Sequence, residues 1–369
     1  MDSTSASPSD SPNVPLLKRP RAWLRARFFR FLRRVGASED AREYFAASLN
    51  RQNLLLPPPE LRGAGEGADY PGMGGAAPAA AQSPKPAPVF VTGRFRSGST
   101  LVWNLFRHVP GTRSYYEPFN ERRWFDPRYR GSRVDSTHLG VSDYWSEYDG
   151  LEELGAYFQE AWKFEHLYMP GHAWNPSMQR YIEILIERAP ARAVLQFNEV
   201  DFRLPWLRAK FPQAKLLHVY RHPRDQWCST LRSAAAQAAT CRIRDFERLF
   251  GFYLLAWGRD LAHYFPFLTL AAEAPAYELF YQVWRMSHLF GRHHADCSVR
   301  LEDLISAPRE SISRMLTAVG VRDYDLDTLA GLVSPVPMGK WKECADESWF
   351  AAIEARVEST LAAYSRAST

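Results

Sequence analysis

The strongest constraint on the fold of this chain is a strand, a glycine turn and a helix that follow one another between residues 88 and 106. Residues 89–91 form an apolar run that is long enough for a buried strand and too short for a helix. A turn with Gly93 and Gly98 follows, and the apolar residues over 101–106 then recur at helical spacing. This layout directs backbone N–H groups and the N-terminus of a helix at an anion.

The turn is close to a nucleotide-triphosphatase loop but does not match it. Such a loop has a lysine directly after its second glycine, where it contacts the outer phosphates. Here Gly93 and Gly98 have the right spacing, but Ser99 occupies the lysine position. The cations lie inside the loop instead, as Arg94 and Arg96. The loop therefore predicts an anion site that is a poor ATPase and suits a different charged leaving group.

Apolar runs of strand length alternate with helical patterns along the rest of the chain. This alternation is typical of an α/β fold, a parallel sheet with helices on both faces. In such sheets the ligand lies at the carboxyl ends of the strands. A helix is predicted over Pro176–Arg188. The strands predicted after the first are Arg113–Tyr116, Ala193–Phe197, Lys215–Tyr220 and Ser298–Leu301.

A second motif lies at the end of the strand predicted over Lys215–Tyr220. Arg221 ends the strand, Pro223 is placed as a first-turn helix proline, and Ser229 follows about two helical turns later. An arginine and a hydroxyl that converge on one point suit a second, separate phosphate. A salt-bridged strand end with a buried serine would have the same sequence.

The segments before residue 88 differ from the main domain in composition. Lys18–Val35 carries eight cations and no acid, and its apolar residues fall on one helical stripe. Such a helix either docks on the main domain, which we favour, or makes peripheral contact with an anionic membrane. The predicted organisation is a disordered tail over 1–17, a basic helical segment over 18–56, a Pro/Gly/Ala-rich linker over 57–87 and the main domain over 88–369.

Composition narrows the class of protein further. Of the 369 residues, 46% are apolar, which is enough for a full core, and the net charge of +5 suits an anionic ligand without indicating nucleic acid. The four cysteines form no C-x-x-C pair, so they suggest neither a zinc motif nor a disulfide framework. No apolar run reaches ~18 residues, and the first residues lack a signal-peptide core. We therefore expect a cytoplasmic protein.

Together the two motifs resemble those of the sulfotransferases that use 3′-phosphoadenosine 5′-phosphosulfate (PAPS). Phe95–Thr100 is similar to their 5′-phosphosulfate loop, and Arg221–Ser229 is similar to their 3′-phosphate motif. Val299–Pro308 and Gly339–Lys342 resemble two later segments of the family. The resemblance spans roughly 88–345 and implies the sulfotransferase fold, a P-loop NTPase-like parallel sheet with helices on both faces.

The resemblance also implies roles for individual residues. Arg96 occupies the position of a family cation that contacts the bridging oxygen of the donor, so it is assigned as catalytic. PAPS is the implied co-substrate, and no metal is implied. The residues expected to bind PAPS are Arg94, Arg96, Ser97, Gly98, Ser99, Thr100, Arg221, Ser229, Lys340 and Trp341.

A hydroxyl acceptor must also lose a proton, and Glu117 is the favoured base. It lies in Tyr115-Tyr-Glu-Pro-Phe119, which is similar to the Glu-Pro of carbohydrate sulfotransferases. A carboxylate whose pKa is raised by burial suits this role. The alternatives are Glu121 and the histidines His108, His218 and His222.

The leading hypothesis is an enzyme that transfers a sulfuryl group from PAPS to a hydroxyl of a carbohydrate or small molecule by in-line displacement. The alternatives are a P-loop kinase and a non-catalytic protein that binds PAPS or its product PAP. The stretch 119–175, rich in Trp, Tyr and Arg, suits a sugar, an aromatic or an acidic acceptor, and equally an ordinary core.

Overall fold

A computed structural model of the chain describes residues 27–28, 31, 58–61, 86–131, 134–135, 138, 140–231, 239–250 and 253–366. The chain divides into two units, residues 1–55 and 56–369. In the first unit the described residues are Arg27, Phe28 and Phe31, and all three are helical. The predicted tail over 1–17 and the rest of the basic segment lie outside the described residues, as does most of the predicted linker.

In the second unit, the described residues form one sheet of five parallel strands in the order β2-β3-β1-β4-β5. This topology confirms the predicted α/β class. The strands are β1 (Val89–Thr92), β2 (Thr112–Tyr116), β3 (Arg192–Phe197), β4 (Lys215–Tyr220) and β5 (Cys297–Arg300).

Helices cover the sheet and follow its strands. None of the described helices is long and apolar enough to cross a membrane. They are α1 (Ser99–Arg107), α2 (Pro176–Arg188), α3 (Leu204–Lys210), α4 (Pro223–Leu231), α5 (Ile243–Phe250), α6 (Leu254–Ala262), α7 (Ala276–His294), α8 (Leu301–Ser306), α9 (Pro308–Ala318), α10 (Leu326–Gly331) and α11 (Glu347–Arg366). Short 3-10 turns lie at Pro59–Leu61, Ser146–Tyr148, Glu152–Ala156, Glu160–Lys163, Asp201–Arg203 and Lys340–Glu343.

The central strand β1 separates two apolar layers. All four of its residues are buried, because β3 pairs with one edge and β4 with the other. Phe90 belongs to one apolar cluster, whereas Val89 and Val91 belong to the second. Alternate residues of a strand point to opposite faces of the sheet, so the two clusters are the two sides of the sheet.

The predicted elements agree with the structure within one residue. Helix α2 has the predicted bounds, and its first turn is capped by the side chain of Asn175, which accepts a hydrogen bond from the N–H of Met178 at 3.0 Å. Strand β5 ends at Arg300, one residue before its predicted end. Leu301 opens α8 instead, because the acidic residues that follow it favour the first turn of a helix.

The packing of α7 against β4 generates a prediction about stability. A Cβ atom at Gly291 would lie 2.4 Å from the ring of His218, which is itself buried. Gly291→Ala should therefore lower the free energy of unfolding by about 1–3 kcal/mol, the usual cost of overpacking a core. Urea denaturation would measure this change.

Gly331, at the end of α10, provides the matched control. A Cβ atom there would meet no heavy atom within 4 Å, so Gly331→Ala should leave stability unchanged or slightly higher. Equal stability of the two variants would contradict the close packing of α7 on β4.

Candidate active site

A cavity of about 680 Å³ opens at the carboxyl ends of the strands. Its walls come from the loop before α1, from residues that follow β2, β3 and β4, and from the segment 332–344. It brings together most of the site residues predicted from the sequence: Arg96, Gly98, Ser99, Thr100, Glu117, Arg221, Ser229 and Lys340. The other predicted residues, Arg94, Ser97 and Trp341, do not line it.

The loop after β1 brings the N-terminus of α1 to the cavity wall. Gly98 has a φ of 93°, in the left-handed region, and a Cβ atom there would lie 2.6 Å from Cδ1 of Leu301. Only glycine satisfies both conditions without strain. Because α1 begins at Ser99, the N–H groups of Ser99 and Thr100 have no partner inside the helix and are available to an anion.

Ser97 was expected to bind the donor, but it does not line the cavity. Its N–H donates to the carbonyl of Arg94 at 3.0 Å, and its side chain is buried beneath the loop. The N–H therefore closes a turn of the loop instead of facing the cavity.

Arg94 is also placed away from the cavity. Its Nη1 lies 2.6 Å from Oδ2 of Asp201, and both side chains are buried. The guanidinium also lies 4.6 Å from the ring centroid of Trp257. A buried cation needs a charged partner, and Asp201 provides one. Arg94 thus holds the loop against the residues after β3 and does not line the anion site.

Arg96 is the loop arginine that reaches the cavity. Its Nε donates to the backbone carbonyl of Ser229 at 3.4 Å, and its Nη1 lies 3.9 Å from Oδ2 of Asp135. Its φ of 68° is uncommon for a residue with a side chain. These contacts bring the guanidinium between the loop and α4.

The strand-end arginine and the serine of α4 line the same cavity. Arg221 is almost fully buried, and Ser229 lies two turns further along. Asp225, on the same helix, accepts hydrogen bonds from the N–H groups of Gly339 at 2.9 Å and Trp341 at 3.3 Å. These bonds fasten the segment that carries Lys340 to α4.

Trp341 has a structural position. Its indole is buried, and the guanidinium of Arg224 lies 4.6 Å from its ring centroid. The ring of His222 is also stacked with the indole of Trp341, with 6.2 Å between the ring centroids. Trp341 therefore supports the segment from behind, while Lys340 lines the cavity.

A polar network links the loop to the favoured base. Oγ of Ser99 accepts a hydrogen bond from Nε2 of Gln196 at 3.2 Å and donates to Oδ1 of Asn198 at 3.4 Å. The amide of Asn198 donates to Oε1 of Glu117, and Nδ2 of Asn120 donates to Oε2 at 2.5 Å. The sequence analysis missed Asn198, although its position directly after β3 is a signal that could have identified it.

Glu117 faces the cavity as the first residue after β2. Burial raises the pKa of its carboxyl above the usual value, even though hydrogen bonds from Asn120, Tyr116 and Asn198 act in the opposite direction. A carboxylate with a raised pKa is a stronger base and still has fixed partners that orient it.

The other predicted bases lie outside the cavity. Burial raises the pKa of Glu121, but its hydrogen bond and ion pair with Lys163 outweigh burial, so the pKa is lowered. His108 caps the far end of α1, where its Nδ1 lies 2.8 Å from the carbonyl of Asn104. His218 is a buried residue of strand β4 itself, and neither His218 nor His222 lines the cavity.

Two further cavity residues, besides Asn198, were not predicted from the sequence. His138 lines the cavity with its Nδ1 2.6 Å from the hydroxyl of Tyr144, and burial lowers its pKa so that the ring is neutral at neutral pH. Asn104 is 1% exposed, and neither atom of its side-chain amide has a hydrogen-bond partner among the described residues. Nothing in the sequence distinguishes these residues from others of their type.

The aromatic stretch over 119–175 belongs largely to the core. Trp124, Tyr144 and Trp162 are buried there, and none of them lines the cavity. Trp174 is 83% exposed and also lies outside the cavity wall. The aromatic rings of this stretch therefore give no support to stacking on an acceptor.

A second carboxyl lies close to the favoured base. Glu199 follows Asn198, and burial, with a smaller effect of the neighbouring Glu117 charge, raises its pKa to about 8. The cations Lys163, Arg94 and Arg203 oppose this shift. At neutral pH Glu199 is therefore mostly protonated, which spares the site a second negative charge.

A family model described as "Sulfotransferase family" matches residues 88–325. No curated protein matches the sequence. The match covers more than half of the chain and includes both motifs that were predicted to bind anions.

Three solved structures illustrate the similarity. The sulfotransferase domain of the Synechococcus PCC 7002 olefin synthase is 18% identical, with a TM-score of 0.35 over 77% of this chain and 94% of that one. Sulfotransferase STF9 from Mycobacterium avium is 14% identical, with a TM-score of 0.42 over 75% and 77%. Mouse sulfotransferase SULT7A1, complexed with PAP, is 13% identical, with a TM-score of 0.37 over 75% and 89%. Similarity of this size carries no argument about activity.

The pKa of Glu199 predicts how stability depends on pH. A carboxyl whose pKa is higher in the folded than in the unfolded state binds its proton more tightly when folded, so stability falls as pH rises between the two values. The window runs from the ordinary value of 4.5 to about 8. Glu199→Gln, which cannot ionise, should therefore become progressively more stable than the wild type across this window in urea denaturation.

Glu121→Gln is the control, and its effect on stability should have the opposite sign to that of Glu199→Gln. Its pairing with Lys163 lowers the pKa of Glu121, so the charged form stabilises the fold above the unfolded pKa. Glu121→Gln should be less stable than the wild type at neutral pH, and the difference should disappear as the pH falls. A pH-independent effect of Glu199→Gln would contradict the protonated state of Glu199.

Proposed function

The chain belongs to the sulfotransferase family, and we propose that it transfers the sulfuryl group of PAPS to a hydroxyl of a carbohydrate or small-molecule acceptor. The observation that carries the proposal is the convergence of two anion-binding motifs and a basic carboxylate in one cavity. Arg96 contacts the backbone carbonyl of Ser229, Arg221 lines the same cavity, and Glu117 follows the end of β2.

The 5′-phosphosulfate would lie at the N-terminus of α1. The N–H groups of Ser99 and Thr100 and the positive end of the helix dipole favour an anion there. The hydroxyls of Ser99 and Thr100 are at the same wall, and Oγ1 of Thr100 lies 3.2 Å from the hydroxyl of Tyr116. Both side chains are thus oriented before the donor binds.

Arg96 would act on the leaving group. In the transfer, a bond forms between sulfur and the acceptor oxygen, and the bond between sulfur and the bridging oxygen of the donor breaks. Negative charge then grows on the 5′-phosphate of PAP. A fixed cation near that oxygen interacts more strongly with the transition state than with the ground state, so it raises the rate.

Arg221 and Ser229 would bind the 3′-phosphate, the group that distinguishes PAPS from ATP. An arginine and a hydroxyl can each donate to its oxygens. The neighbouring Lys340 adds positive charge to the same wall. The serine in the lysine position of the loop, Ser99, argues against a kinase.

Glu117 would remove the acceptor proton. Its raised pKa makes the carboxylate a stronger base, and the amides of Asn120 and Asn198 hold its two oxygens in place. Simple nucleotide binding needs no such group, so Glu117 supports turnover over a non-catalytic role. The polar groups of Asn104, Asp135 and His138 in the cavity wall support an acceptor with several hydroxyls.

The first test concerns the donor. PAP should raise the melting temperature, whereas AMP, which lacks the 3′-phosphate, should raise it much less. Arg221→Ala should remove most of that difference, since a hydrogen bond to a charged group contributes about 1.5–3 kcal/mol. Arg300→Ala is the matched control, because Arg300 ends the neighbouring strand and does not line the cavity. Equal shifts with PAP and AMP in the wild type would refute the proposed donor.

The second test concerns the base. Transfer from ³⁵S-labelled PAPS would first be measured against a panel of sugars, phenols and alcohols. With the best acceptor, Glu117→Gln should lower kcat by about 10²–10⁴, the usual contribution of a general base, while the shift with PAP is retained. Since a base works only when deprotonated, wild-type kcat/KM should fall as pH drops below the raised pKa of Glu117. This limb should be absent in Glu117→Gln.

Glu121→Gln is the matched carboxylate control and should keep near-normal turnover, because Glu121 lies outside the cavity. Near-normal turnover of Glu117→Gln together with loss in His138→Gln would move the base to His138. That result would change the mechanism and leave the proposed reaction standing.

A further inference from the structure

Three side chains with metal-binding atoms lie close together outside the two motifs of the cavity. Glu60 lies in a 3-10 turn before the main domain, and His293 and His294 end α7. Each offers one ligand atom, and these atoms all lie within 4.8 Å of one another. Neither of the two anion-binding motifs includes these residues.

Packing sets the position of Glu60. Its neighbour Leu61 is fully buried in the larger apolar cluster, and the N–H of Leu61 donates to the carbonyl of Pro58 at 3.0 Å. The short turn is thereby docked on α7, and the carboxylate of Glu60 is carried to the end of that helix. The cluster is thus a consequence of apolar packing and not of charge attraction alone.

The carboxylate of Glu60 is only half satisfied. Its Oε1 lies 2.6 Å from Nε2 of His294, but its buried Oε2 has no hydrogen-bond partner among the residues that the structure describes. The whole residue is 4% exposed. A buried carboxylate oxygen without a partner is costly, and an ion or ordered water commonly explains one.

We propose that Glu60, His293 and His294 bind a zinc ion. Two imidazoles and one carboxylate are ligands that suit zinc, and a water molecule would complete a four-coordinate site. With both carboxylate oxygens on the ion, Oε2 of Glu60 would gain the partner that it lacks. The ion would also join the 3-10 turn to α7, the helix that packs on β4 through Gly291.

Binding requires two local changes that the surroundings permit. Zinc with ligands at ~2.0–2.2 Å needs ligand atoms roughly 3.3 Å apart. Oε1 of Glu60 and Nε2 of His294, now 2.6 Å apart, would therefore separate slightly, and the ring of His293 would adjust to complete the site. His293 is exposed and its ring can rotate. The carbonyl of His294 accepts a hydrogen bond from Nε of Arg208 at 2.9 Å, which fixes the backbone on which both rings stand. When the ion binds Nε2 of His294, the neutral ring keeps its one proton on Nδ1, so the hydrogen bond to Glu60 is exchanged for the metal bond.

The competing explanation of this cluster is a plain hydrogen bond between Glu60 and His294, without a metal ion. A variant of His293 distinguishes the two explanations. The hydrogen bond does not need His293, whereas the zinc site does. The experiment uses the full chain after treatment with EDTA and buffer exchange, and ZnCl2 is titrated in a calorimeter. CoCl2 is used in parallel, because four-coordinate cobalt gives a distinct visible absorption.

The expected result is one zinc ion per chain. His293→Ala and Glu60→Gln should each weaken zinc binding by more than about 10-fold, at least the effect of losing a supporting residue. In EDTA, His293→Ala should melt at the wild-type temperature, which shows that its fold is intact. Glu60→Gln keeps an oxygen that can accept from His294 and so provides a second variant that is expected to fold.

His263→Ala is the matched control, since His263 is an exposed histidine outside the cluster. It should bind zinc as the wild type does. No zinc binding by the wild type, or equal losses in His263→Ala and His293→Ala, would overturn the proposal. The outcome does not depend on whether the chain transfers sulfuryl groups.

Discussion

The parallel register of the strands is the constraint on which the candidate active site depends. Val89 of β1 pairs with Val194 of β3 and with Lys215 of β4, so the three strands end at nearly the same level. Strand β2 pairs with the outer edge of β3. The first residue after each of β2, β3 and β4 then lines one cavity, and these residues are Glu117, Asn198 and Arg221. A shift of one residue in any pairing would turn that strand's side chains to the opposite face.

Burial then determines what each of these side chains can do. Glu117 and Glu199 are close enough to interact, and burial raises the pKa of both carboxyls. Because Glu199 is mostly protonated at neutral pH, Glu117 can carry the negative charge that a base requires. Asn198 contributes by bonding both Glu117 and Ser99, so the proposed base and the loop before α1 are held by one polar network.

The two arginines of the loop show how similar residues acquire different tasks. Arg94 is withdrawn into a buried ion pair with Asp201, which anchors the loop. Arg96, two residues later, reaches the cavity and contacts the backbone of Ser229. Removing one partner of a buried ion pair leaves an uncompensated charge, so Arg94 is expected to matter for the position of the loop even though it does not line the anion site.

The sequence alone determined the elements and their order. The apolar runs of β1 to β5, the helix over Pro176–Arg188 and the glycine turn before α1 all depend on local spacing, and local spacing can be read along the chain. The convergence of the two anion motifs also followed, because parallel strands bring their carboxyl ends to one edge.

Only the tertiary structure decided which of the candidate side chains reach the cavity. Arg94 and Trp341 are held by Asp201 and Asp225, which lie 107 and 116 residues away in the chain, and Ser99 is held by Gln196, which lies 97 residues away. Asn198 and His138 were missed for the same reason, since an asparagine or a histidine carries no local sign of what it will face. Contact, burial and pKa arise from residues that are distant in sequence, so no local pattern can specify them.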